Sequence, residues 1–576
     1  MLATSVATGA VGQALENNDT QEQRRRTREQ AIQRERVVNE PRVDLPRLEN
    51  PPAPDDAAAS TDLPGSTALP QESPCFVIDH LVLEVPAQLP ATTRALGAST
   101  LPMDPFRFAQ DALSHYQGAC IGPAGVNLIV QRLTRTILER GYSTTRLGIP
   151  RQDLSTGTLT LTLVPGVIHT IRFSDPDTDA SWRSAFPTGP GQLLSVPDIE
   201  QGLEQMKRVP SQQVEMEIVP ADAPGESDIV ITVHCDTRWK VSASLDDSGA
   251  KSTGKLQSSV NLAIDNPLGL NDLFNLGLNT DADRHGQQRG TNGNSLYYAI
   301  PWGYWNWSVA ASTYRYHQQI AGIYQTFVSS GQSRNLDLTT QRLLYRDQQQ
   351  KHTLQVKLGK RWSRSFIDDT ELEVQRRNTT SVELAWLQTH YFGNAQFNLT
   401  LANRWGVAWF NGQSDVGPRT SDSPTYRYSL QTLDASLYTP FQLGQQSFSY
   451  SATLRAQHTR SALFQSEQIA IGNRYSVRGF DGEQTLTAER GFYLRNELEM
   501  PLAQSHQRLY LGIDAGRVFG PNTQNLLGTK LAGAAIGMRG NINRLYYDVF
   551  VASPLVKPDG FRTAMPVTGF MLNYEY

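Results

Sequence analysis

The chain has 576 residues and a net charge of -4, with a sequence pI near 6.2 and a mean hydropathy of -0.41. That length asks for three or four domains rather than one core, and the mild acidity removes any whole-chain attraction to nucleic acid. No run approaches the roughly 18 apolar residues of a membrane-spanning helix, which leaves a transmembrane barrel open, because barrel strands alternate polar and apolar residues.

Residues 1–18, opening MLATSVATGA, lack the basic start and apolar middle of a secretory signal. They read as the end of such a signal or as an unstructured lead. Residues 19–40 form one helix, with Thr20 and Gln23 at capping-box spacing and Pro41 as a stop. About 20 residues at roughly 1.5 Å each span about 30 Å, the thickness of a bilayer's hydrocarbon core. Arginines such as Arg24, Arg25, Arg26 and Arg28 outweigh its few apolar residues, so no wide face can enter a dry core. Two readings stay open: a solvated charged helix, or a polar rod plugging a water-lined lumen. Residues 41–74, with Pro46, Pro51, Pro52, Pro54, Pro64 and Pro70, read as a stiff, extended linker.

Two small mixed modules follow, over 75–165 and 166–237. The first starts with a strand over 75–85 and continues with helices at 105–116 and 124–140. The second of these helices puts Val126, Ile129, Val130, Leu133 and Ile137 on one face before Gly141 caps it. In TGTLTLTLVPG, Leu159, Leu161 and Leu163 alternate with threonines as in a half-buried strand. The same grammar recurs with IHTIRF, a helix opening at Ser195, and two alternating strands joined by PADAPGESD. Each module leaves a sheet edge to which an extended peptide could add. Cys75 and Cys120 fall in the first module, either disulfide-bonded in an oxidising compartment or as two separate buried thiols, and Cys235 is left over.

From 238 to 576 the period becomes two. Trp239, Val241, Ala243 and Leu245 alternate with Lys240, Ser242 and Ser244, and Phe448, Tyr450, Ala452 and Leu454 do the same. Trp302, Trp305, Trp307, Trp386 and Tyr297 collect near strand ends, as interfacial girdles require. A soluble sandwich would alternate too; the last segment, GFMLNYEY, decides. It puts Phe570, Leu572, Tyr574 and Tyr576 on one face and stops on an aromatic residue, which suits a strand closing a barrel. At about 20 residues per strand and turn, the region holds about 16 strands. The fold class is thus mainly β, a transmembrane antiparallel barrel preceded by two α+β modules and an N-terminal helix.

No HExxH, GxSxG or complete dinucleotide fingerprint is present, and no metal or cofactor motif. GAKSTGKL, residues 249–256, mimics a phosphate-binding loop until Leu256 takes the place of the required Ser or Thr. It joins two strands, so a hairpin turn is the better account.

The order of parts resembles the transporters of two-partner secretion, the TpsB family, over nearly the whole chain. The likeness rests on GACIGPAGVNLIVQRLTRTILERGYSTTR and QDLSTGTLTLTLVPG in the first module, LEQMKRVPS and PGESDIVI in the second, and DDSGAKSTG and DNPLGLND at the barrel's start. It implies that the modules are POTRA (polypeptide-transport-associated) domains in the periplasm of a Gram-negative cell and that the barrel lies in its outer membrane. It also implies that IGNRYSVRGF carries the family's loop motif, Val477, Arg478, Gly479 and Phe480, folded back into the barrel, and that Arg478 pairs with Asp514 of LYLGIDAGRVFG. Further implications are a non-enzymatic exporter, a large TpsA-type exoprotein bound through the POTRA domains, and contact with lipid and with the barrel-assembly machinery. The rivals are a barrel-assembly insertase, a passive porin and a surface enzyme.

Overall fold

A computed structural model describes residues 68–85 and 105–576, apart from 284–285, 287, 322–324, 348, 419, 421 and 503–504. The expected helix over 19–40, with Arg24, Arg25, Arg26 and Arg28, and the linker as far as residue 67 lie outside the described residues.

In the first module, strand His80–Glu84 runs parallel to Thr158–Val164, which pairs antiparallel with Arg146–Gly148. Leu159, Leu161 and Leu163 are fully buried against Ile129, Leu133 and Ile137 of the helix Pro123–Glu139. The strand expected over 75–85 is instead two strands, Phe76–Val77 and His80–Glu84. The chain changes partners between them: the Ile78 amide donates to Ala119, whereas those of Asp79 and His80 both donate to Gly157. Cys75 and Cys120 are disulfide-bonded, with Cα atoms 5.3 Å apart, and Cys235 is free and exposed.

Residues 68–74, expected as the linker's end, belong to this module. The Glu72 carboxylate accepts hydrogen bonds from the amides of Gly122, Ala124 and Gly125 at 3.0, 2.8 and 2.7 Å, capping the helix from outside. Partial desolvation opposes its charged form, but these three donors at a helix N-terminus hold the carboxyl below its usual range.

The second module repeats the plan. Strand Glu226–Cys235 lies between the parallel Val167–Phe173 and the antiparallel Gln212–Pro220. Helix Val196–Lys207 turns Ile199, Leu203 and Met206 into a core with Ile168, Ile229 and Ile231.

Among the described residues, sixteen long strands, from Trp239–Asp246 to Val567–Glu575, close an antiparallel barrel, and the two-residue Thr370–Glu371 pairs beside them with the end of Gln350–Ile367. Neighbours in sequence pair throughout, and the last strand meets the first from Met571↔Asp246 to Glu575↔Ser242. Across successive strands Leu354, Trp386, Leu401 and Leu433 stand side by side on the outer face. Ile513, Ile536 and Val551 are each about half exposed there, whereas Asp514, next to Ile513, is 1% exposed and points inward. This is the inverse of a soluble sandwich and the arrangement a lipid-embedded barrel needs. Trp302 and Trp305 flank a hairpin turn, but Trp386 lies inside its strand, Arg377–Phe392, stacked on His352. In the last strand Phe570 pairs with the outward Val549, and Tyr576, following it, stacks on Trp239 at 6.2 Å.

The second module is bolted to one rim of the barrel. Gln201 and Gln205 both donate to the Gly303 carbonyl at 3.2 Å, in the turn between two barrel strands. Arg346, at the end of strand Thr326–Arg346, pairs with Glu200 and Glu204, and Tyr304 with Asp198. The segment DNPLGLND is part of the same joint: Asn266 donates to the Asp179 carbonyl and Asn271 to that of Ser181, each at 2.6 Å.

Candidate functional site

The connection from strand Gln446–Thr459 to strand Arg490–Pro501 turns into the barrel instead of arching over it. A short hairpin, Ile469–Ile471 against Leu486–Ala488, stiffens it. Val477 and Phe480, 0% and 2% exposed, pack with Ile471, Leu486, Tyr493, Val518 and Leu531 in a small apolar core inside the lumen. Phe480 meets Phe561 edge-on, with centroids 5.5 Å apart. Gly479 has a φ of 99°, a conformation that favours glycine, and a Cβ there would stand 2.5 Å from the Ser553 carbonyl oxygen.

That core delivers Arg478 to the wall. Its Nε and Nη2 donate to the two oxygens of Asp514 at 2.7 and 2.8 Å, and its own backbone amide donates to Asp514 at 2.9 Å. Nη1 pairs with Glu497, and Nη2 also reaches the Asn496 carbonyl at 3.0 Å. Planar, two-point binding of this kind is what a guanidinium offers a carboxylate and an ammonium cannot. Arg478 is 4% exposed, so the pair is shielded from the water that weakens surface ion pairs.

Sequence reasoning singled out Val477, Arg478, Gly479, Phe480 and Asp514, and the structure brings all five together. It missed Glu497 and Asn496, and it missed the glycines of the wall. A Cβ on Gly533 would lie 1.9 Å from the Arg478 carbonyl oxygen, and one on Gly512 would lie 2.3 Å from its Nη2. Glycine at inward positions of LYLGIDAGRVFG and KLAGAAIG was the available signal, since a strand interior rarely carries it without a close approach. The segment 249–256 is the connection between the first two barrel strands, Trp239–Asp246 and Gln257–Asp265, and Lys255 from it contacts Asp247 at 3.5 Å.

The rest of the lumenal wall is charged on both signs. Asp337 pairs with Lys357 at 2.9 Å, Glu383 with Arg404 at 2.6 Å, and Asp434 with Arg455, each across adjoining strands. Arg539 reaches Glu497 and Glu499 at 2.8 Å and Asp548 at 3.4 Å. Glu467, on the inward connection, bonds Arg361 and Arg404 and adds a further anchor.

An outward-apolar closed barrel with a polar lumen, an arginine loop seated inside it and two small α+β modules at one rim define an outer-membrane transporter of the POTRA-and-barrel class. The comparisons carry this to a family. Residues 225–540 match the haemolysin secretion/activation protein family ShlB/FhaC/HecB, 167–220 match a POTRA domain, and 103–166 match a POTRA domain of ShlB type. The chain is 46% identical over 569 residues to the outer membrane transporter CdiB-2 of Burkholderia pseudomallei (strain 1026b), covering 98% of this chain and 95% of that one. It is 31% identical over 470 residues to CdiB of Dickeya dadantii (strain 3937), covering 80% and 82%. Its fold matches the solved structure of CdiB from Escherichia coli with a TM-score of 0.81 at 25% identity, over 97% of this chain and 99% of that one. The chain belongs to the ShlB/FhaC/HecB haemolysin secretion/activation family, the outer-membrane transporters of two-partner secretion, with its POTRA domains in the periplasm.

Proposed function

We propose that this transporter exports a large contact-dependent-inhibition toxin of TpsA type, held unfolded by the POTRA domains until it enters the lumen. The observation that carries the cargo class is the 46% identity, over nearly both full lengths, to a transporter named CdiB-2. No nucleotide is present in the periplasm, so binding and folding energies must do the work. The partner's secretion domain adds a strand to a POTRA sheet edge. The edge of His80–Glu84 is a poor candidate, because the Gln110 side chain accepts from the Leu83 amide at 3.1 Å and donates to the Leu81 carbonyl at 3.2 Å. The outer edge of Gln212–Pro220 is the better one, since its ladder is with Glu226–Cys235 on the other side.

Arg478 and Asp514 lock the inward loop in the resting barrel. The charged helix 19–40, through Arg24, Arg25, Arg26 and Arg28, plugs the remaining lumen and leaves as cargo enters. The Cys75–Cys120 bond holds the first POTRA domain in its oxidising compartment, and the closing strand ending at Phe570 to Tyr576 directs insertion by the barrel-assembly machinery into outer-membrane lipid. The protein performs no catalysis of its own.

The test is co-expression, in a Gram-negative host lacking two-partner transporters, with a large contact-dependent-inhibition exoprotein and, separately, with a haemolysin of the same secretion route. Surface display of that exoprotein, and of no haemolysin supplied in its place, supports the cargo assignment. Equal display of both, or of the haemolysin alone, refutes it. Deleting residues 1–40 should raise single-pore conductance in planar bilayers, and unchanged conductance would remove the plug from the scheme.

A further inference from the structure

The last strand pairs with its predecessor from Val567 onward, yet with the first strand only from Met571. Beyond Asp246 the seam has no ladder, and the backbone of Phe570 would face the gap with its amide and carbonyl unpaired by a strand. Two side chains occupy that place. Asp247, the residue after the first strand, accepts from the Phe570 amide at 3.0 Å. Arg474 pairs with the same Asp247 oxygen and extends its other terminal nitrogen to within 3.5 Å of the Phe570 carbonyl. Together they imitate one more rung of the barrel.

Arg474 belongs to the inward loop, four residues before Arg478. It reaches the seam over Gly569, where a Cβ would stand 2.3 Å from its Nη2, and its guanidinium lies 5.2 Å from the Phe550 ring centroid. Phe550 is the strand partner of Gly569, so the ring fills the space left by the missing side chain and supplies a face for the cation. Asp247 and Arg474 are 8% and 19% exposed at their side chains, which places the pair out of bulk water.

We infer that Arg474 is a positioning residue that couples the inward loop to the seam, so that seating the loop and completing the closure between first and last strands are one state. The loop then has two arginine anchors with different tasks. Arg478 fixes it to the wall opposite Asp514, and Arg474 makes the seam's last rung depend on its being there. Lifting the loop for cargo withdraws Arg474 and leaves Asp247 and Phe570 without it, loosening the seam from its far end. This coupling is independent of which cargo is carried.

Hydrogen exchange of the full-length protein in detergent tests it, read at the seam-facing amides of Phe570, Leu572, Tyr574 and Tyr576, the first of which donates to Asp247 and the last to the Val241 carbonyl at 2.9 Å. Arg474→Ala should speed their exchange about tenfold or more while leaving the neighbouring ladder, Leu545–Val556 with Lys530–Ile542, unchanged. Arg474→Lys, which keeps the charge for Asp247 but has no second nitrogen for Phe570, should lie between. Arg478→Ala, which frees the loop from its other anchor while leaving Arg474 intact, should also speed seam exchange. A disulfide between Ser244→Cys and Asn573→Cys, directly opposite across the seam, should restore protection in all three. Wild-type exchange in both Arg474 variants overturns the seam role. Accelerated exchange in Arg474→Ala with wild-type values in Arg478→Ala overturns the coupling. Should Arg474→Ala fail to assemble, Arg474→Lys and Arg478→Ala decide by the same readouts.

Discussion

Arg346 and Glu204 meet across the joint between the second POTRA domain and the barrel, and Lys351 reaches the same carboxylate. The Arg346 side chain is 3% exposed. Burial alone would raise the Glu204 carboxyl, but the two cations beside it hold it below the usual range. Removing one partner of a buried pair costs roughly 3–5 kcal/mol, and less where the other keeps some water, as Glu204 does. Arg346→Ala should therefore release the domain, seen as a separate, earlier periplasmic transition in scanning calorimetry. Arg346→Lys should recover part of the loss, because the charge stays while the hydrogen bond that Arg346 Nη1 donates to Gln201 Oε1 at 2.8 Å goes.

Arg478→Lys is expected to behave as a severe change despite conserving charge. An ammonium cannot span both Asp514 oxygens while also reaching Glu497 and Asn496. Export should fall and planar-bilayer recordings should show larger or noisier conductance. Asp514→Asn should do the same, and the double variant should be no worse than Arg478→Lys alone, since the contact Asp514→Asn removes is already lost there. Additive losses would show that the two residues act separately.

His169 and Asp228 tie the parallel strands of the second POTRA domain at 2.9 Å. The hydrogen bond that His169 donates to Asp228 raises the imidazole above its ordinary value, and the same bond, with the Thr170 hydroxyl also donating, lowers the Asp228 carboxyl. The histidine's contribution is complete below its unfolded pKa and fades as pH rises through the folded one; the aspartate's is complete above its unfolded pKa and fades as pH falls through the folded one. With unfolded values of about 6.5 and 3.9, the bond is fullest between roughly pH 4 and 6.5. The difference in periplasmic-domain unfolding temperature between wild type and His169→Gln should peak in that window and shrink as pH rises above it. A difference constant with pH would mean that packing, not the charged pair, is what the substitution removes.

The Cys75–Cys120 bond closes a loop with a sequence separation of 45. In the chain-entropy account a loop of that length is worth about 4 kcal/mol. Replacing both cysteines with alanine should lower the unfolding free energy of the first POTRA domain by that order, read as an earlier denaturant midpoint, leaving the barrel's own transition in place. Reduction with dithiothreitol should reproduce the shift in wild type and add nothing in the variant.

The barrel was legible because a strand writes its two faces into alternate letters, and Leu354, Val356 and Leu358 do so unmistakably. The Arg478 to Asp514 contact was legible only through family likeness, since nothing local to either residue names the other. Long-range contacts such as Glu72 with the helix after Gly122, or Arg346 with Glu204, leave no periodic trace. Each is one charged side chain meeting a group more than forty positions away. In the sequence, Pro70 and Pro74 give residues 68–74 the look of a linker, whereas the deciding feature is a single carboxylate at a helix end. The break in the strand over 75–85 was equally hidden: Ile78 is apolar and keeps the alternation while the backbone changes partners.

A wall on which Asp337 faces Lys357, Glu383 faces Arg404 and Asp434 faces Arg455 presents no sustained field to a polypeptide sliding along it. Opposite charges at contact distance cancel within a few ångströms, well inside the roughly 8 Å over which physiological salt would screen them. Acidic and basic stretches of cargo thus encounter much the same surface, and neither is trapped. Such a conduit is indifferent to what it carries, and selectivity has to be exercised before the cargo reaches it.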